Sequence, residues 1–199
     1  RGTPFVESPF FEHHMTLKDL YQRPGFLLRR THQISAAVFE NACASVGLTA
    51  AQYGVLSVLA IEPGLDQTRL ARALAFDKVT VMRVCKGLEE RGLIERRVSE
   101  HSRRQMAVVL TPAGTKLLQQ ARGPADQAYQ RLLSPLTLAQ RQQLIVILET
   151  LTQGLADDAR APFVPLLPPA SDDAVVPASV PKVRANRTNT GRGKAAPRS

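Results

Sequence analysis

The apolar positions of this chain fall into blocks of helical period, interrupted once by a pair of strand-like runs. The segment "PGFLLRRTHQISAAVFENACASVG" carries Leu27, Ile34, Val38 and Ala42 on one approximate stripe. Pro24 stands near its start and Gly47 closes it, as expected of a helix that begins on proline and ends on glycine. The segment "LTAAQYGVLSVLAIEPG" predicts a second helix. Thr49 is its N-cap, Gln52 lies three residues on as in a capping box, and Pro63 and Gly64 stop it. A short third helix, "LDQTRLARALA", is capped by Asp66. A fourth, "FDKVTVMRVCKGLEERG", is capped by Asp77 and ended by Gly92. Each cap offers an oxygen to the backbone N–H groups that a first helical turn leaves unpaired.

The pattern then changes. Leu93–Val98 and Gln105–Leu110 are β-prone runs joined by the six-residue loop "SEHSRR", which predicts a hairpin. Thr111 and Pro112 open a further helix reaching about Leu133, and Pro124 inside it is expected to kink or split it. A last helix starts near Thr137 and runs to Leu155. Leu144, Ile145, Ile147, Leu148, Leu151 and Leu155 make it apolar over a wide face. The fold class is mainly α with a small β-hairpin wing. Helix, tight turn, second helix and hairpin follow in the order of a winged helix-turn-helix.

Charge gives this unit a partner. The net charge is +9, and its location says more than its size. Residues 66–104 hold ten basic against six acidic side chains and residues 160–199 seven against two, while the rest of the chain balances. A localised positive field suits a polyanion such as double-stranded DNA; a merely solvated charged face is the alternative. In the helix after Asp77, Val81, Cys85 and Leu88 form an inward stripe. Thr80, Arg83 and Gly87 lie on another face, flanked by Lys78 and Lys86. Arginine pairs with guanine, threonine reaches a base or a thymine methyl, and the helix N-terminus favours phosphate. Gln67, Thr68 and Arg69 begin the preceding helix and join the candidate DNA contacts. On the hairpin, Arg103 and Arg104 are candidates for the backbone or minor groove. Arg96 and Arg97 alternate across the strand, so only one shares their face. Arg97 is the candidate, and local pairing with Glu95 or Glu100 is the competing reading for both.

Both ends lack a period. Residues 1–16 read as an irregular arm whose Phe5, Phe10 and Phe11 suit packing on a partner subunit. Residues 157–199, rich in Pro, Ala and Ser and then in Arg, Lys and Gly, are expected to form a disordered basic tail. The tail would add salt-sensitive attraction to DNA or serve only solubility. No charged-then-apolar leader and no apolar run of about 20 residues is present, so neither secretion nor a membrane partner is expected. Cys43 and Cys85 have no motif spacing, which fits a reducing cytoplasm. His13 and His14 have no further ligands beside them, so no metal and no cofactor is expected. A phosphate-binding glycine loop and a nucleophile motif are both missing, which argues against an enzyme.

The order of elements, with "GLTAAQYGVLSVL", "LDQTRLARALAFDKVTVMRVCKGLEERGLIERR" and "LTPAGTKLL", resembles the MarR family of bacterial transcriptional regulators over about residues 17–156. The resemblance implies a MarR-like domain over 17–156, with dimerisation helices at about 17–47 and 112–156 and a DNA-binding unit at about 48–111. It implies a homodimer on a palindromic operator, and an apolar last helix agrees with that. Family wings often carry acidic residues where Ser99 and Ser102 stand here, which leaves the arginine pair unbraced unless Glu100 substitutes. The resemblance further implies release by a small aromatic acid held between the dimer helices and the winged unit. Arg29, Arg30, His32 and Tyr53 are the candidate ligand residues, against a reading in which the arginines are solvated and His32 is an interface histidine. Through "GLDQTRLARALAFDKVT" the likeness leans toward repressors of aromatic-acid and nicotinate breakdown, so a hydroxylated nicotinate is the first effector to try. Redox sensing by a cysteine and non-specific architectural binding are the rival readings.

Overall fold

In the computed structural model, residues 16–99 and 102–166 are described, with residues 99 and 102–105 described by their backbone alone. The arm up to residue 15 and the tail from residue 167 lie outside the described residues. Among the described residues, seven α-helices and three strands follow in the order α1 (Leu17–Tyr21), α2 (Pro24–Ala42), α3 (Ala50–Ile61), β1 (Leu65–Asp66), α4 (Gln67–Ala73), α5 (Lys78–Glu90), β2 (Ile94–Ser99), β3 (Ser102–Leu110), α6 (Pro112–Leu133) and α7 (Leu138–Gly154). A 3-10 turn spans Ala156–Asp158.

The caps expected from sequence are present. Thr49 and Gln52 form the capping box on α3; Thr137 and Gln140 form a further one on α7, which the sequence reading did not name. Asp66 caps α4, and Gly47, Gly64 and Gly92 adopt the positive φ that a glycine tolerates at a helix or turn end. The turn between α4 and α5 uses an alanine for this purpose. Ala75 has φ +52°, while Phe76 N–H donates to Ala71 C=O at 2.9 Å and Ala75 N–H to Arg72 C=O at 3.3 Å.

Four points differ from the sequence reading. Pro124 does not split α6, which is one helix from Pro112 to Leu133. The residue before the proline is Gly123, which has no Cβ to meet the pyrrolidine ring, so the usual pre-proline bias away from α weakens. Second, β3 pairs with both other strands, in the order β1-β3-β2. The sequence reading missed β1 because two residues after a Pro-Gly turn carry no alternation. Third, β3 is longer than expected. Val98 pairs with Met106 and Ser99 with Ser102, so the ladder skips Arg103, Arg104 and Gln105 in place of an open six-residue loop. Fourth, residues 157–166, expected in the disordered tail, belong to the compact unit ending at Leu166. Val164 N–H donates to Arg72 C=O at 3.0 Å, and Leu166 packs against the main core.

That core lies in the winged unit, where Leu56, Leu59, Leu65, Leu70, Leu88 and Ile94 are almost fully buried. A second cluster joins Phe39 of α2 and Cys43 at its C-cap to Ala125 and Ala128 of α6. By contrast, α7 buries none of its residues, and Leu138, Ile145, Val146, Ile147 and Leu151 are all exposed.

Candidate nucleic-acid interface

Asp77 fixes the start of α5. Its Oδ1 accepts the Thr80 N–H at 2.7 Å and its Oδ2 accepts the Thr80 hydroxyl at 2.9 Å. The backbone bond from Thr80, then the hydroxyl bond, hold the Asp77 carboxyl below its ordinary range. The helix buries Val81, Cys85 and Leu88 at i, i+4 and i+7. The opposite stripe is Val79, Met82, Arg83 and Lys86. Val79 is 75% and Met82 50% exposed, and both cations are exposed.

This outward face differs from the expected one. Thr80 commits its hydroxyl proton to Asp77, and Gly87 is half-buried facing Gln52. Arg83 does point outward, in the company of two apolar side chains that sequence reasoning passed over. The signal was present, since Val79 stands two residues before buried Val81 and so about 160° around the helix from it. Exposed apolar atoms beside a cation are what thymine methyls and guanine edges require.

The remaining candidates surround this face. Lys78 opens α5 and is exposed. Gln67 and Thr68 form the first turn of α4, where Asp66 Oδ1 accepts from Thr68 N–H at 2.8 Å and Arg69 N–H at 2.9 Å. The Arg69 guanidinium pairs with Glu62 at 3.4 Å, and Lys86 with Glu90 at 3.7 Å. On the wing, Arg97 pairs with Glu95, one of the two partners expected, and Arg96 pairs instead with Glu89 at 3.3 Å, while Glu100 lies outside the described residues. Such exposed pairs contribute about 0–1 kcal/mol each and yield readily to a phosphate. Arg103 and Arg104 sit in the bulge of β3, and their side chains lie outside what is described. Arg91, one of the ten cations of this segment, has a structural task. Its guanidinium donates to Gly47 C=O at 2.8 Å and Val46 C=O at 3.4 Å, tying the end of α5 to the turn after α2.

The four candidate ligand residues are not gathered in one place. Tyr53 is half-buried against Phe39, ring centroids 5.6 Å apart, and Phe39 meets Tyr129 at 6.0 Å. Arg29, Arg30 and His32 are exposed on α2, and Arg29 lies 5.2 Å over the Phe26 ring. His32 stands seven residues before Phe39 and shares its face, whereas Arg30 falls on the far side of the helix. Phe39 and Tyr129 complete an aromatic cluster that the sequence did not single out, since the two are distant in sequence.

Both cysteines are buried, and burial pushes both thiols above their ordinary pKa. For Cys85 the Arg96 charge opposes this more weakly. Among the described residues no group of His, Cys, Asp and Glu has metal-ligand geometry, and no helix is long and apolar enough to cross a membrane. His13 and His14 lie outside the described residues.

Comparison with known proteins places this geometry in context. The MarR family profile matches residues 46–105. A Thauera aromatica protein named for transcriptional regulation of the hcr operon is 37% identical over 131 residues, covering 64% of this chain and 77% of its own. Among solved structures, BpsR of Bordetella bronchiseptica, described for regulation of its DNA binding by 6-hydroxynicotinic acid, superposes with a TM-score of 0.63 at 30% identity, covering 66% of this chain and 94% of that one. The repressor CouR of Rhodococcus jostii, bound to a 23-mer DNA duplex, gives 0.63 at 30% identity, covering 70% and 99%.

Proposed function

The chain belongs to the MarR family of transcriptional regulators, and from that premise we propose that it is a repressor which, as a homodimer, holds a palindromic operator and is released by a small aromatic acid. The observation that carries this reading is the outward stripe of α5, with Val79, Met82, Arg83 and Lys86 exposed beside a capped N-terminus. The stripe is held by a rigid winged core, and a structural relative carries the same fold on a duplex. In this reading Arg83, Val79 and Met82 face base edges. Gln67, Thr68, Arg69, Lys78 and Lys86 lie along phosphates, Arg97, Arg103 and Arg104 extend the grip through the wing, and Thr80 keeps α5 in register.

The exposed apolar faces of α2 and α7 support the dimer. Leu27, Leu28 and Ile34 on one, and Ile145, Ile147 and Leu151 on the other, are too much apolar surface to leave in water. The effector reading rests on the BpsR likeness and on the Phe39–Tyr53–Tyr129 cluster with His32 two turns away; Arg29 and Arg30 would supply charge at its rim. The cytoplasm is the compartment this work requires. Redox control finds less support, since both thiols are buried.

The test is a selection of duplexes from a random pool, followed by gel shifts of the winner with hydroxylated nicotinates and benzoates. A near-palindrome preferred by roughly a thousandfold over random DNA, and lost on adding one of these acids, is the expected result. Uniform affinity for all duplexes would return the chain to the architectural class.

A further inference from the structure

Residues 159–166 form a strap that returns from α7 to the winged unit, and its docking is specific. The Arg72 carbonyl, near the end of α4, accepts the Val164 N–H in addition to that of Ala75, and Leu166 is packed against the core. Arg160 is thereby held at a recess of about 400 Å³ between α4 and the start of α5. Arg72, Lys78 and Arg160 line this recess together with Gln67, Thr68 and Asp77. Three cations and one carboxylate thus share the lining, and that carboxylate is already engaged by the Thr80 N–H and hydroxyl. Among the described residues none of the three cations forms an ion pair. Asp157 and Asp158 precede Arg160 in the chain but do not line the recess. Like charges that share one recess repel one another, and an anion bound among them relieves that repulsion.

We infer that this recess is a phosphodiester site of the duplex, completed by Arg160, so that the strap is a third DNA-contacting element beside the recognition helix and the wing. The inference deepens the function proposed above and rests on it. The anion is assigned to the DNA backbone because Gln67, Thr68 and Lys78 already flank the duplex-reading face, and the start of α5 favours phosphate oxygens.

The full chain tests this by fluorescence anisotropy on its selected operator and on a random duplex, from 50 to 200 mM salt. Each lost phosphate contact lowers the slope of log K against log salt by about 0.9, hence about 1.8 for two heads. The wild type's advantage over Arg160→Ala should therefore shrink about twelvefold across that range. Arg160→Lys should keep most of the slope, because a phosphate needs charge more than a fork. Val164→Pro, which removes the donor to Arg72, should reproduce the Arg160→Ala effect with Arg160 still present. Both weakened variants should lose random DNA and operator alike. An unchanged slope in Arg160→Ala would overturn the assignment. So would tighter binding by either weakened variant, which would make the strap a cover over the duplex face, or loss of the response to a small carboxylate with the salt slope intact. A wild type without preference for any duplex would instead bring down the proposed function, and the strap with it.

Discussion

Replacing Gly114 by alanine should unseat the base of the wing. Gly114 lies in the first turn of α6, where a Cβ would come 1.9 Å from the Leu93 carbonyl oxygen and 2.9 Å from its carbon. A carbon–oxygen contact needs about 3.3 Å, so backbone must move by more than an ångström. The same carbonyl accepts the Thr111 N–H at 3.1 Å, and the Thr111 hydroxyl donates to Gly92 C=O at 2.7 Å. Overpacking of this kind costs about 1–3 kcal/mol, and loss of the Leu93–Thr111 bond a further 0.5–1.5 or so. Alanine returns about 1 kcal/mol of helix propensity. The net is a loss of about 2 kcal/mol, which lowers Tm by about 4–8 °C in a unit of this size. Thermal and urea unfolding at equal protomer concentration measure it, with the urea midpoint falling and the slope unchanged. A midpoint at or above the wild type's would refute the steric reasoning.

Ala75→Gly should raise stability by up to about 1 kcal/mol, because the α4–α5 turn needs a positive φ that alanine adopts only with strain; a lowered urea midpoint would contradict this. The Asp77 carboxyl titrates below its unfolded value, so its contribution is complete above the ordinary carboxylate pKa and lost as pH falls through the folded one. The stability gap between wild type and Asp77→Asn should therefore narrow between about pH 5 and pH 3, and a pH-independent gap would deny the cap its charge. Arg83→Ala should lose about 1–3 kcal/mol of operator affinity and blur one base position in each half-site; undisturbed selection logos would show that the reading face is wrong. With both thiols buried and pushed up in pKa, peroxide should leave operator binding as it is with dithiothreitol.

Helix order, caps and the inward stripe of α5 were legible because each rests on local chemistry: Asp66, Asp77, Thr49 and Thr111 all cap as read. What escaped depends on partners far along the chain. Arg91 looked like one more surface cation until Gly47 and Val46 met it across 44 and 45 residues. The two residues of β1 become a strand only because Val108 and Ala107 lie beside them. The strap was hidden by composition, since a proline-rich stretch reads as disordered even where one N–H and one leucine suffice to dock it. Thr80 shows the converse: the hydroxyl proton of a residue suited to base contact is engaged by its own cap, which the sequence pattern did not reveal.

The small strand β1 splices the beginning of α4 to the long arm of the hairpin, while Arg96 bridges the short arm to Glu89 of α5. The buried core they share, with Leu70 of α4, Val81, Cys85 and Leu88 of α5, and Ile94 and Val108 of the hairpin, makes α4, α5 and the wing one packed unit. In the dimer proposed above, an effector held among the long helices would have little purchase on the shape of either winged unit, and would act instead as the screw of a caliper, resetting the gap between the two tips.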